Sequence, residues 1–285
     1  MPFTTPIFAA ALALTAATCW GAGDFTGGLA TRRTDAFLTV LGGYSVGLVL
    51  LVIVALARAE PIPPLADLGW GAAAGLFGMV GVGFLYRGLA AGRMGIVAPV
   101  SAVVATILPV IFNGLTQGLP RPVQLAGFGV ALAAIWLIAR PGRLGGRPEG
   151  LGDAVVAGLG FGGFFIGLGQ VGQGAVFWPL AAGRLASCAV MSVFALVTRR
   201  PVPINQAPLG LLSLAGTLDV AGNLFFLLAV QGGRLDITAV LGSLYPAVTA
   251  ILAWLIIKEH MTRVQVIGVG AAVVAIALIT LGQQA

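Results

Sequence analysis

Ten apolar runs follow one another along the chain, each ended by a short polar or glycine- and proline-bearing break. They occupy 6–29, 36–57, 68–90, 95–116, 123–139, 151–171, 176–197, 208–231, 237–257 and 264–281. About 20 apolar residues in a helix cover the hydrocarbon thickness of a bilayer, and a backbone in that medium must satisfy its own hydrogen bonds. The pattern predicts an all-α integral membrane protein with ten transmembrane helices. Breaks such as Thr31-Arg32-Arg33-Thr34-Asp35, Arg58-Ala59-Glu60-Pro61 and Lys258-Glu259-His260 carry the charge and turn chemistry of loops.

The second half of this pattern repeats the first. With the chain shifted by 141 positions, Gly92-Arg93 falls on Gly233-Arg234, Val123-Gln124 on Val264-Gln265, and Gly127 and Gly129 on Gly268 and Gly270. Between Gly69 and Ala139 there are 18 identities in 71 positions, against roughly a tenth by chance in so uniform a composition, which argues for duplication. The units expected are a first five-helix repeat at 1–140, a linker at 141–150 and a second repeat at 151–285. Five crossings are an odd number, so the second repeat is inverted relative to the first. That is the plan of secondary transporters, with a site at the midplane between the halves.

Composition agrees with a membrane and excludes much else. The chain is 59% hydrophobic and 8% charged, with a mean hydropathy of +1.04. Its net charge of +6 comes from arginines at the ends of apolar runs, as for loops at an anionic lipid surface, and predicts a bilayer partner and no nucleic acid. Loops 1–2, 3–4, 5–6, 7–8 and 9–10 hold 10 Lys and Arg residues against 3 in the alternate loops. This favours termini outside the cytoplasm. Met1 to Thr5 lacks the positive segment of a signal peptide, so the first span is expected to be retained. Cys19 and Cys188 lie inside apolar spans and read as buried thiols. Spacings such as Gly71-x3-Gly75 and Gly158-x3-Gly162 predict close helix crossings.

A charge at the bilayer centre costs at least about 2.5–3.5 kcal/mol, so each one needs a reason. Asp24, Arg184 and Asp219 fall within spans, while Arg87 is close enough to an end to snorkel. Their positions in the other repeat are Phe165, Gly43, Gly78 and Leu228, so the shared helix plan does not require the charges. Asp24 and Asp219 suit a proton or an ammonium; Arg184 suits a carboxylate or an acidic neighbour. Asn223 shares a face with Asp219 one turn away. With Trp20, Tyr86, Ser101, Ser243 and Tyr245 these form the candidate substrate-binding set. Pro246 beside Tyr245 would free a backbone carbonyl and permit a bend. No phosphate loop or paired acidic motif occurs, and His260 is the only histidine, so neither an enzyme nor a cofactor or metal centre is expected.

The end of the second repeat, Leu244-Tyr245-Pro246-Ala247-Val248, Lys258-Glu259 and Gln265-x2-Gly268, resembles the drug/metabolite transporter superfamily, specifically its EamA-type ten-helix exporters. Trp20-Gly21 and Arg184 fit the same pattern. Gly118, Ala105 and Gly43 depart from it in the first repeat, where a glutamate, a proline and an arginine would be symmetric. Among EamA-type proteins the chain is most similar to bacterial amino-acid exporters of the YddG type. The resemblance implies a multi-pass protein of the bacterial inner membrane, often with cytoplasmic termini, against the charge count, and the fusion of both repeats in one chain fits a monomer. Helices 1–4 and 6–9 would surround a cavity, with helices 5 and 10 peripheral. The function expected is alternating-access export of small metabolites, amino acids foremost. Arg184 would take a carboxylate, Asp24 or Asp219 an ammonium or proton, and Trp20, Tyr86 and Tyr245 would supply walls and gates. The alternatives are export of hydrophobic drugs, lipids or other metabolites on the same fold, or a membrane protein with no transport role.

Overall fold

A computed structural model of the chain describes residues 6–90, 94–139, 150–200, 208–258 and 261–284. Regular structure among these residues is entirely helical: α1 (Pro6–Thr31), α2 (Ala36–Ala57), α3 (Leu65–Ala90), α4 (Met94–Gln117), α5 (Pro122–Ala139), α6 (Leu151–Gly169), α7 (Phe177–Val197), α8 (Leu209–Gly232), α9 (Leu235–Gly242), α10 (Tyr245–Ile256) and α11 (Arg263–Gln284). Arg140 and residues 141–149 of the linker lie outside the described residues, as do Glu259 and His260.

The ninth span is not the single helix that its hydropathy predicts. It breaks at Ser243-Leu244 into α9 and α10. Pro246 has no N–H, so the chain tightens into three-residue turns: Leu244 N–H donates to Leu241 O at 3.2 Å and Ala247 N–H to Leu244 O at 3.0 Å. With α9 and α10 counted as one span, nine described spans are long and apolar enough to cross a membrane. The apolar part of α5, Pro122–Ile138, is shorter. These ten crossings are the expected integral membrane fold.

The packing follows a two-fold relation between the repeats. α1 lies along α8 just as its counterpart α6 lies along α3, and α4 packs on α6 as α10 packs on α1. α2 meets its own counterpart α7, and α5 meets α11. Small residues make these approaches close. A Cβ on Gly75 would enter the backbone of Gly183 where α3 crosses α7, and one on Gly216 would enter Gly43 where α8 crosses α2. In lipid, where burial of apolar surface drives helices together only weakly, such backbone contact is a main source of association. Large apolar side chains such as Ile53, Leu56, Phe194, Leu196, Ile267 and Val273 point outward from α2, α7 and α11, as a lipid-facing surface requires.

Ends of matching helices are built alike. α2 and α7 each finish with a non-glycine residue in the left-handed region, Ala59 (φ 48°) and Arg199 (φ 51°). Behind each, Glu60 N–H reaches Ala55 O and Arg200 N–H reaches Ala195 O, both at 2.9 Å. This six-to-one bond closes the last turn of a helix.

Candidate functional site

Between the repeats lies a cavity of about 730 Å³, within the roughly 300–1,000 Å³ typical of small-molecule sites. Its floor is made by Gly71, Leu168 and Leu180, the two leucines nearly fully buried. Its mouth is made by Thr31, Arg32, Leu85, Ile138, Met261 and Gln265. These mouth residues sit at the helix ends that carry the arginine-rich connections, here termed the linker face. The opposite face, which carries both termini, is the terminal face.

Eight of the nine residues singled out from sequence line this cavity: Trp20, Asp24, Ser101, Arg184, Asp219, Asn223, Ser243 and Tyr245. The side chain of Tyr86 lies outside the described residues. Trp20 Nε1 donates to Asn223 Oδ1 at 3.0 Å. Its indole packs beside Phe165 and Phe226, with ring centres 5.7 and 5.4 Å away. Arg184 is paired with Asp219, so the acidic-neighbour alternative is the one seen. Its guanidinium also lies over the Tyr44 ring, 4.2 Å from the centroid. The Arg184 side chain is 8% exposed and that of Asp219 37%, so the pair presents its carboxylate to the cavity. Asp24 is exposed to the cavity and forms no ion pair or hydrogen bond among the described residues.

The two-fold relation shows how this polarity is distributed. The counterparts of Asp24, Asp219, Asn223 and Ser243 are Phe165, Gly78, Val82 and Ala102, and all four also line the cavity. One wall, from α1, α7, α8 and the α9–α10 break, is therefore polar. The wall across the two-fold axis, from α3, α4 and α6, is apolar but for Ser101. Phe161, the counterpart of Trp20, lies on that side.

Below the floor, the terminal face is sealed by bonds to backbone. The Glu60 carboxylate accepts from the N–H groups of Val176 (2.7 Å), Phe177 (3.0 Å) and Trp178 (3.1 Å), capping the start of α7, while Trp178 Nε1 donates to Glu60 O at 2.9 Å. Asp67 accepts from Gly172 N–H at 2.8 Å. Gln231 Nε2 donates to the carbonyls of Gly172 and Ala175 at 2.8 and 2.9 Å. Arg234 donates to Gly118 O at 2.8 Å and pairs with the fully buried Asp236, which raises the guanidinium pKa above its ordinary value.

Several contributors escape a search for charges inside spans. The Phe161–Phe165 segment is apolar and looks lipid-facing until the repeat is aligned, and Tyr44 carries no charge to single it out. Glu60 and Asp67 stand in or near a loop, where acidic residues are unremarkable. Arg87, expected to snorkel, pairs with Asp153 of α6 and stacks over Phe84 at 4.4 Å. α5 and α11 pack together as peripheral helices, yet lend Ile138 and Gln265 to the mouth.

An all-helical membrane fold of two related five-helix halves around a midplane cavity defines a membrane transporter. The chain belongs to the EamA-like transporter family, which it matches twice, at residues 7–140 and 150–281. Members of that family are transporters of the drug/metabolite type and not enzymes. The fold is similar to that of a protein solved by crystallography, with a TM-score of 0.77 and 20% identity over 96% of this chain and 98% of that one. No curated protein matches the chain.

Proposed function

We propose that the protein exports small metabolites joining an ammonium-bearing head to an apolar body, amino acids foremost, across the bacterial inner membrane by alternating access. The observation that carries this reading is the division of the cavity into a polar and an apolar wall. An amphipathic solute fits such a division; a purely apolar one would leave Asp24 desolvated without a partner. Asp24 receives the ammonium. The substrate carboxylate shares the Arg184 guanidinium with Asp219, since its five N–H donors can serve two carboxylates and neither is left as a lone buried charge. Side chains of the substrate lie against Phe161, Phe164 and Phe165. The arginine-rich linker face is cytoplasmic by the positive-inside rule, so the described conformation is the one that loads substrate for export. This is the mode of the YddG-type exporters that the sequence resembles.

Counterflow of a panel of radiolabelled amino acids into liposomes holding the purified protein tests the reading. Saturable uptake is expected, best for apolar side chains and at least about 10-fold weaker in Asp24→Asn, since a bond between charged partners is lost. Absence of uptake across the panel, with lipophilic cations transported instead, would replace amino acids by drugs as substrates.

A further inference from the structure

The α9–α10 break exposes chemistry that nothing in the two-fold plan requires. In the first repeat, α4 runs unbroken through Ala102 and Val103, and Ala105 stands at the position of Pro246. In the second, Pro246 cannot donate to the carbonyl of Gly242. The N–H of Ala247, the helical partner of Ser243 O, goes to Leu244 O instead. Two carbonyls at the C-terminal, partially negative end of α9 thus lose their helical partners. Beside them Ser243 is 1% exposed and its Oγ has no hydrogen-bond partner, although buried hydroxyls are nearly always satisfied. Ser243, Tyr245 and Pro246 all border the cavity. α1 crosses here: a Cβ on Gly21 would come within 2.6 Å of Tyr245 O, and Thr249 Oγ1 donates to Gly21 O at 3.0 Å. One turn further along α1 stands Asp24, without a partner among the described residues.

The Ser243 carbonyl and hydroxyl and the Asp24 carboxylate belong to residues that border one cavity, with the C-terminus of α9 behind them, and oxygens of these kinds are the donor set for a small hard cation. We propose that the α9–α10 break and Asp24 form a cation subsite. Its ligands are the Gly242 and Ser243 carbonyls, Ser243 Oγ and the Asp24 carboxylate. The same donors suit a sodium ion or the ammonium group of a substrate; the second case rests on the amino-acid reading above, the first does not.

Two variants probe the subsite while sparing Asp24. Ser243→Ala removes the hydroxyl, and Pro246→Ala returns an N–H to Gly242 O and favours a continuous helix, so its folding is not at risk. Both are compared with wild type in detergent after size-exclusion and melting checks, with radioactive sodium alone, with leucine, and with the des-amino analogue of leucine. Sodium binding that falls about 10-fold in both variants assigns the subsite to an alkali ion. Leucine binding that falls about 10-fold while the des-amino analogue is unaffected assigns it to the ammonium. If sodium obeys the variants but no amino acid binds, the subsite stands and the amino-acid reading falls. If amino acids bind and both folded variants match wild type with every probe, the subsite falls and the amino-acid reading stands. Failure of wild type to bind either cation overturns both.

Discussion

At the terminal face, Glu60, Asp67 and Gln231 all bond to the backbone of residues 172–178. At the linker face the repeats instead meet through the ion pairs Arg200–Asp35 and Arg87–Asp153 at the rim of an open mouth. The two-fold relation makes these faces comparable position by position. In the repeat alignment, Glu60, Asp67 and Gln231 of the terminal face correspond to Pro201, Pro208 and Ala90. None of these three has a side chain that can accept or donate a hydrogen bond as its counterpart does. If the molecule closes its linker face by exchanging the roles of its repeats, it must do so without an equivalent of the Glu60 cap. In an alternating-access cycle this difference would make the two ends unequal in energy and favour the conformation open to the linker face.

Breaking the seal should shift that balance most through Glu60. Glu60→Ala removes a carboxylate shared among three N–H groups at a helix start, a loss of about 3 kcal/mol. In a background lacking Cys19 and Cys188, a cysteine at the floor position Leu168 should then react roughly 100-fold faster with an impermeant maleimide supplied at the terminal face. Gln231→Ala, which removes two neutral bonds, should cost about 1 kcal/mol and speed labelling about five-fold. Asp35→Asn sharpens the contrast from the other side. Its pair with Arg200 is about two-fifths exposed on each partner, so the expected effect is below about 0.5 kcal/mol and within two-fold in labelling. Equal responses to Glu60→Ala and Asp35→Asn would show that the faces do not differ in the way their bonds suggest.

Hydropathy alone marks nearly every crossing, because lipid leaves a long apolar segment little choice but helix. The repeat adds the fold: an offset of 141 is enough to pair α1 with α6 and α3 with α8. Charges inside spans lead to Asp24, Arg184 and Asp219, since the cost of burying them advertises a purpose. Hydropathy misses what leaves the average unchanged. The break at Ser243-Leu244 lies in a span as apolar as its neighbours, and Pro246 announces a bend without saying which bonds are lost. Whether Arg184 faces substrate or Asp219 depends on how α7 and α8 meet, a tertiary fact with no local trace. Glu60 acts on α7 from 116 residues away along the chain, beyond any spacing rule.

The crossings at Gly75–Gly183 and Gly216–Gly43 place bare main chain against main chain on either side of the axis. Such contacts hold no rotamers, so a change of angle there unlocks no side chain and opens no void. They can serve as bearings on which the halves turn, while residues that recognise cargo ride on the arms. Adding one methyl at Gly216, which does not line the cavity, would load the bearing, and would slow turnover while leaving binding selectivity intact.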